Sequence, residues 1–378
     1  MHSEPNNQEI NQNIDKKAVI VNVAVAVIHH KEQYLLGFRD ATQHQGNRYE
    51  FVGGKIDANE SAEQALVREV AEETGIAIDN DIIVKLGRLH HDYGDKQVVL
   101  QVYKIELVAQ QYEQHKHCKY GLEGQALTWV DKSKLLAGEY PLPAANKTIL
   151  EWLRLPTQIT ITYPLSHFSE CSDPAAAWLQ YHQTHLAPES LVYIRTKEAD
   201  AERSSNLAAQ LMHDRPDVQA IVPYDADSQF LDIDKSTSIK DESISHQIVA
   251  NHLTHTALMQ WLESVSDTSV SEHCLSDDFP LIISCHDIVS IEAANKLASA
   301  RIQQQLPPVI GIFISPVLAT HTHPDTVPLG WEAWSALTQL ADMPVIGLGG
   351  LSPTMIDQAL EHGGVSVAGI RQFFNSEK

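Results

Sequence analysis

Cysteine is scarce in this 378-residue chain: Cys118, Cys171, Cys274 and Cys285 lie far apart and form no CxxC pair. That spacing excludes a small disulfide-framed domain and suits reduced thiols, so a cytoplasmic setting is expected. Long apolar runs are missing too. The longest, Ala18–Ile28, is broken by Asn22 and is too short to span a bilayer, so no membrane association is expected. The opening MHSEPNNQEINQNIDKK has no apolar core, which argues against a secretory signal and marks residues 1–16 as a loose, disordered tail. Cations are outnumbered, 27 Lys and Arg against 49 Asp and Glu, for a net charge of −22. So acidic a surface repels a phosphate backbone, and duplex DNA or RNA is not an expected partner. A small polyphosphate still fits, provided that metal ions and a few local cations reverse the field at its site.

What is present reads as a globular chain, with 43% hydrophobic and 20% charged residues, and its length favours two domains. Residues 18–28 form a β-branched run with a hairpin partner at Tyr34–Phe38. A Gly-rich turn at Gly53-Gly54 leads to a helix over Ser61–Thr74, stopped by Gly75. Strands are expected at Ile82–Leu86, Val98–Leu107 and Ala126–Val130, then a helix near Asn146–Leu153. That mixture predicts an α+β sandwich over residues 17–153. Beyond a linker at residues 154–158 the rhythm changes. Eight short apolar runs alternate with helical stretches: Ile159–Tyr163, Leu191–Arg195, Ala220–Pro223, Ile248–Leu253, Leu281–Ser284, Val309–Ile314, Val345–Leu348 and Val365–Ile370. Residues 159–378 therefore predict an α/β domain, a (β/α)8 TIM barrel.

The chemistry concentrates in the segment from Gly54 to Ile76. Asn59 is a plausible N-cap, Glu60 and Glu63 suit the positive end of the helix, and Gly75 suits the position past its end. At about 100° per residue, Glu69, Glu72 and Glu73 share one arc, while Leu66, Val67, Val70 and Ala71 form a docking face beside it. Three carboxylates so spaced repel one another and weaken a bare helix. A hard divalent cation with oxygen preference, Mg²⁺ above all, removes that repulsion. Taken alone, such an acidic string is also what a solvated helix face looks like. Two other polar clusters, His90-His91-Asp92 and His115-x-His117-Cys118, have metal-like composition without a second ligand set at recognised spacing.

The spacing Gly54, Glu60, Arg68, Glu69, Glu72, Glu73 and Gly75, with aliphatic Val70 and Ile76, fits the signature G-x5-E-x7-R-E-U-x-E-E-x-G-U of the Nudix family. Over residues 18–153 the chain resembles MutT-type 8-oxo-dGTP diphosphatases, including Arg39-DATQHQGNRYEFVGGKID, with Val52 where those proteins usually have Pro. The resemblance implies metal-dependent cleavage of a nucleoside triphosphate to monophosphate and pyrophosphate, hence a role in nucleotide-pool sanitation and DNA repair. It implies divalent metal, Mg²⁺ with Mn²⁺ as a substitute, at the Gly53 carbonyl, Glu69, Glu73 and Glu123, with Glu60 and Glu72 in or beside that shell. Arg68 would orient the glutamates, and Glu72 or Glu123 would act as base. Arg39, His44, Phe51 and Asn146 fall at base-pocket positions. Asn146 suits a purine edge because a carboxamide donates and accepts at once, although on spacing alone it also suits a helix N-cap. Phe51 could equally be plain core.

The second half resembles the thiamine phosphate synthase/TenI family at Ile194-Arg195-Thr196-Lys197, Asn251-His252-Leu253-Thr254, Ser284-Cys285-His286, Ser315–Gly330 and Gly347–Gly350. It implies a barrel ligand site, for a thiazole or other small phosphate, at Arg195, Lys197, His286, Gly349 and Gly350. The synthase metal segment is replaced by Pro223–Asp227 and its loop lysine by His323, so synthase chemistry is not expected. Besides an auxiliary barrel, two further readings remain. In one the hydrolase acts on a thiamine-pathway pyrophosphate; in the other the chain is a non-catalytic ligand sensor.

Overall fold

The computed structural model of the chain describes residues 20–42, 45–78, 81–93, 97–197, 200–224, 242–266, 275, 278–320 and 326–375. The expectations for the tail, His44, Asp225–Asp227, Cys274, His323 and Asp325 lie outside the described residues.

The N-terminal half runs β1 (Ile20–His30), β2 (Gln33–Phe38), β3 (Tyr49–Glu50), β4 (Val52–Lys55), α1 (Ala62–Thr74), β5 (Ile83–Asp92), β6 (Gln97–Glu106), α2 (Ala109–His115), β7 (Ala126–Asp131), α3 (Lys132–Leu136) and α4 (Asn146–Trp152). Its strands form one mixed sheet in the order β3-β2-β1-β6-β5, with β4 on β1 and β7 on β2. From Ala24 to Ile28 strand β1 is apolar at every position because both its faces are covered there. Ala24, Ala26 and Ile28 belong to the core beneath α1, and Val25 and Val27 to the core on the other face, as a period of two requires. Small alanines on the α1 side let that helix close onto the sheet.

The second half holds β8 (Gln158–Ile161), α5 (Pro174–His185), β9 (Leu191–Tyr193), α6 (Ala201–Asp214), β10 (Gln219–Pro223), α7 (Glu242–Ser245), β11 (Ile248–Leu253), α8 (His255–Ser266), β12 (Leu281–Cys285), α9 (Ile288–Gln303), β13 (Val309–Ile314), α10 (Gly330–Thr338), β14 (Val345–Leu348), α11 (Ile356–Glu361) and β15 (Ser366–Gly369). The eight strands β8–β15 pair in parallel and close into a barrel, as the eight apolar runs predict. Strand β13 is buried at all six positions, the signature of a barrel wall packed on both sides.

The structure departs from expectation in three local places. Ser61 is the cap of α1, not Asn59, because Gln64 completes a capping box with it: the Gln64 N–H donates to Ser61 Oγ and the Ser61 N–H to Gln64 Oε1. The expected turn at Gly53-Gly54 is strand β4, paired antiparallel to β1. Strand β5 runs on to Asp92, so His90 and His91 sit in a ladder opposite Val99 and Val98.

The two halves dock through α4 and β5. Trp152 Nε1 donates to the Val309 carbonyl at 3.0 Å, Arg88 pairs with Asp342 at 2.7 Å, and Lys85 Nζ donates to the Gln339 carbonyl at 2.7 Å. Val309 opens β13 and Asp342 precedes β14, so the docked face is the amino-terminal rim of the barrel. The carboxyl-terminal mouth, where barrel sites are built, faces away from this contact.

Three buried histidines tie the fold to pH. Burial pushes His29 down to about 3, His182 to about 4 and His252 to about 3. Each stays neutral in the folded chain; His252, for example, lies 2.7 Å from Tyr193 Oη and 2.8 Å from Ser284 Oγ, which satisfies both ring nitrogens. Between the unfolded value of 6.5 and these lowered values the unfolded chain binds protons that the folded chain does not. Their contribution is complete above 6.5 and is lost as pH falls toward 3 to 4. The urea midpoint should therefore drop between about pH 7.5 and about pH 5. The drop should shrink in His182→Gln; a midpoint flat across that window contradicts the assignment.

Candidate active site

Helix α1 is fixed at both ends, by the Ser61–Gln64 box and by Gly75 at φ 75°, which any side chain would strain. Leu66 and Val70 are buried against the sheet, which turns Arg68, Glu69, Glu72 and Glu73 toward β4 and solvent. Arg68 then gathers the carboxylates. It donates to Glu60 at 2.6 and 3.1 Å, to Glu69 at 2.9 Å, to Glu72 at 3.0 Å and to the Lys55 carbonyl at 3.1 Å. A planar five-donor guanidinium can do this and an ammonium cannot. Its hydrogen bonds hold Glu60 below the usual carboxylate range.

Glu73 sits differently. Burial first, and then the charges of Glu50, Glu69 and Glu123, push it up to about 8, although the Gly53 N–H donates to it. Glu123 is exposed but tethered: the Leu122 N–H and the Gln125 amide both donate to the Glu73 carbonyl, at 2.8 and 3.2 Å. Glu50, absent from the expected set, is raised to about 7 by burial despite Arg39 at 3.2 Å. Its signal in the sequence was slight, one acidic residue in the aromatic stretch Tyr49–Phe51. Among the described residues no three candidate ligands already converge on one cation, because Glu60, Glu69 and Glu72 are drawn onto Arg68. The donor set nevertheless fits a hard divalent ion. It is all oxygen and its like charges are uncompensated at Glu73. At Gly54, moreover, an added Cβ would fall 2.2 Å from the Glu69 carboxyl carbon, so only glycine leaves that carboxylate its place.

The second group of expected residues lies beside this cluster. Phe51 is buried at 4% exposure within the sheet core, which also includes Ala145. Asn146 is buried at 7%. It is not the cap: Ala145 occupies that position, and Asn146 is the first residue of α4. Arg39 pairs with Glu50 while its Nε is buried without an acceptor. Tyr93, which the sequence reading missed, hydrogen-bonds the Ala145 backbone and is raised chiefly by burial, with Arg39, Arg48 and Glu50 close enough to act on it. No motif marks it.

At the barrel mouth, Arg195 and Lys197 follow β9, His286 follows β12, and Gly349 and Gly350 follow β14. Lys197 is lowered by burial and by the Arg195 charge, which places the two cations near each other. His286 Nδ1 lies 2.9 Å from the Ser315 carbonyl and its ring 5.2 Å from His255. Cys285 is buried, with its thiol pushed up to about 12 by burial, so it is a protonated filler and not a nucleophile. The other histidine clusters assemble nothing. His91 packs on Tyr93 at 4.4 Å, and His117 and Cys118 are exposed past α2.

A capped acidic helix against a glycine strand, with oxygen-only donors, defines a class of metal-dependent phosphoanhydride hydrolases. A family model for the NUDIX domain matches residues 23–152, and one for thiamine monophosphate synthase matches residues 277–373. The 8-oxo-dGTP diphosphatase of Escherichia coli (strain K12) is 31% identical over 136 residues, 36% of this chain and 98% of that protein. The 8-oxo-dGTP diphosphatase of Haemophilus influenzae (strain ATCC 51907 / DSM 11121 / KW20 / Rd) is 36% identical over 138 residues, 36% of this chain and 92% of its own. The CTP pyrophosphohydrolase of Escherichia coli (strain K12) is 31% identical over 133 residues, 35% of this chain and 90% of its own. The chain belongs to the Nudix hydrolases, and it carries a TenI-like barrel as its second domain.

The two site glycines should separate in mutation. In Gly54→Ala the new Cβ meets the far end of flexible Glu69, so the carboxylate yields and the fold does not. The metal concentration for half-maximal turnover should rise about tenfold or more with little change in melting temperature. In Gly53→Ala it meets the Ala24 backbone carbonyl at 2.1 Å, at a φ of 147°. That should cost more than about 1 kcal/mol of stability. The reverse pattern of melting and metal titration contradicts the geometry.

Proposed function

We propose that the chain hydrolyses an oxidised purine nucleoside triphosphate, 8-oxo-dGTP foremost, to the monophosphate and pyrophosphate, with Mg²⁺ as its metal and Mn²⁺ as a substitute. The observation that carries the substrate is the placement of Asn146, 7% exposed at the first position of α4 and next to Ala145, whose backbone Tyr93 hydrogen-bonds. A carboxamide donates and accepts side by side, so it can match a ligand edge with adjacent acceptor and donor. Two relatives named 8-oxo-dGTP diphosphatase support the same reading.

Glu69, Glu73, Glu123 and the Gly53 carbonyl would hold the metal, with Glu60 and Glu72 beside them. Arg68 orients Glu60, Glu69 and Glu72 by its hydrogen bonds, and the exposed carboxylates Glu72 and Glu123 are the candidate bases. When bound, a divalent cation supplies charge neutralisation at the phosphates and makes water more acidic. Arg39 and Phe51 would position the nucleotide, together with His44. Localisation in the cytoplasm is part of the proposal; among the described residues no helix is long and apolar enough to cross a membrane. So is the division into a hydrolase over 17–153, a linker at 154–158 and a barrel over 159–378.

A second reading takes a thiamine-pathway pyrophosphate as substrate and a thiazole phosphate in the barrel. It is favoured by the adjoining cations Arg195 and Lys197 at a TenI-like mouth. A substrate panel of 8-oxo-dGTP, dGTP, CTP and thiamine diphosphate separates the two. Glu73→Gln should lower metal-dependent pyrophosphate release about 10²- to 10³-fold, near 3–4 kcal/mol of barrier. Asn146→Ala should collapse the ratio of 8-oxo-dGTP to dGTP efficiency; an unaltered ratio removes the base-reading role.

A further inference from the structure

The barrel rim touches the hydrolase at two places, and each leads to one wall of the nucleotide pocket. Helix α4 has seven residues and no side-chain cap at its start, too short to hold its own direction. It is about 10 Å long. Asn146 stands at its first position and Trp152 at its last. Trp152 is 3% exposed and its indole N–H is committed to the Val309 carbonyl of the barrel. The opposite end of α4 is tied, through Ala145, to Tyr93.

Tyr93 directly follows β5, and β5 is the second strut. Its ladder slips between Lys85 and Gly87, which brings the backbone onto the barrel. The Arg88 N–H donates to the Asp342 carbonyl at 3.1 Å, and its guanidinium reaches the Asp342 carboxylate at 2.7 Å. An added Cβ at Gly87 would fall 2.5 Å from the Asp342 carbonyl and 2.6 Å from the Trp152 ring, so strand, helix and barrel rim meet at one point. Asp342 is itself fixed, its N–H donating to Asn295 at 2.9 Å. The carboxylates ride on α1, the turn before it and the 121–125 turn, and among the described residues none of their hydrogen bonds runs to the barrel.

We infer that the barrel positions the base pocket of the hydrolase, with Trp152 and the Gly87–Arg88 bulge as positioning residues that hold Asn146 and Tyr93 in register. The metal site does not depend on it. This rests on the assignment of Asn146 as base reader. The barrel thereby acts on nucleotide recognition from its amino-terminal rim, whatever its mouth binds.

The test is steady-state kinetics on the full chain with Trp152→Phe and Gly87→Ala, with folding checked by circular dichroism. The substrates are 8-oxo-dGTP, dGTP and an abasic 2-deoxyribose 5-triphosphate. KM for 8-oxo-dGTP should rise about three- to tenfold, the fold-change of one hydrogen bond, with kcat kept within about twofold. The abasic substrate and the metal titration should not move. Unchanged KM in both folded variants overturns the inference. So does a parallel loss on the abasic substrate, since that is general loosening. Failure of the base assignment is seen separately, as a wild type without preference for the oxidised purine. The coupling is then read on its best nucleotide against the abasic one.

Discussion

Six carboxylates, Glu50, Glu60, Glu69, Glu72, Glu73 and Glu123, crowd together around α1, and the repulsion among them is the constraint to which the rest of the hydrolase answers. A helix carrying Glu69, Glu72 and Glu73 on one face is weakened by its own charges. Arg68 draws Glu60, Glu69 and Glu72 aside, which leaves Glu73 partly buried among Glu50, Glu69 and Glu123 and raised to about 8. On the proposed reading, a divalent cation would relieve that crowding. The capping box, the left-handed Gly75 and the bare Gly54 are the local devices that keep so unfavourable a cluster in place.

The sheet and the barrel extend that logic outward. Strand β1 is buried on both faces, so α1 and the chain that carries Asn146 sit on opposite sides of one rigid layer. The proposed metal ligands and the proposed base reader thus belong to different packing units. The barrel closes the second unit from below through Trp152 and Asp342, while its mouth, with Arg195, Lys197 and His286, opens at the far end. Docking the hydrolase on the amino-terminal rim leaves the opposite rim, the barrel mouth, clear of this contact.

Much of this was legible in the residues. The Glu-rich helix announced itself because its chemistry is local: ligand spacing is set by helical geometry and stands in the sequence without any tertiary information. The eight barrel strands were equally plain, since a strand buried on both faces has no choice but to be apolar, as in Val309–Ile314. What escaped was non-local. Glu50 and Tyr93 enter the site only because β3 and the end of β5 are brought beside Arg39. The true cap, Ser61, was displaced in the reading by Asn59, because the decisive partner was Gln64. Strand β4 looked like a turn because its glycines serve close approach to β1 and Glu69, not chain reversal. Nothing in the sequence said that Trp152 would be spent on the barrel.

The carboxylate cluster as a divalent-metal site is most directly tested by Mn²⁺ binding, followed by electron paramagnetic resonance on the full chain with and without a non-hydrolysable triphosphate. The account predicts saturable loss of the free Mn²⁺ signal that is strengthened by nucleotide, competed by Mg²⁺ and abolished in Glu69→Gln/Glu73→Gln. A free-ion signal that persists with nucleotide present, or binding that survives the double substitution, would contradict it.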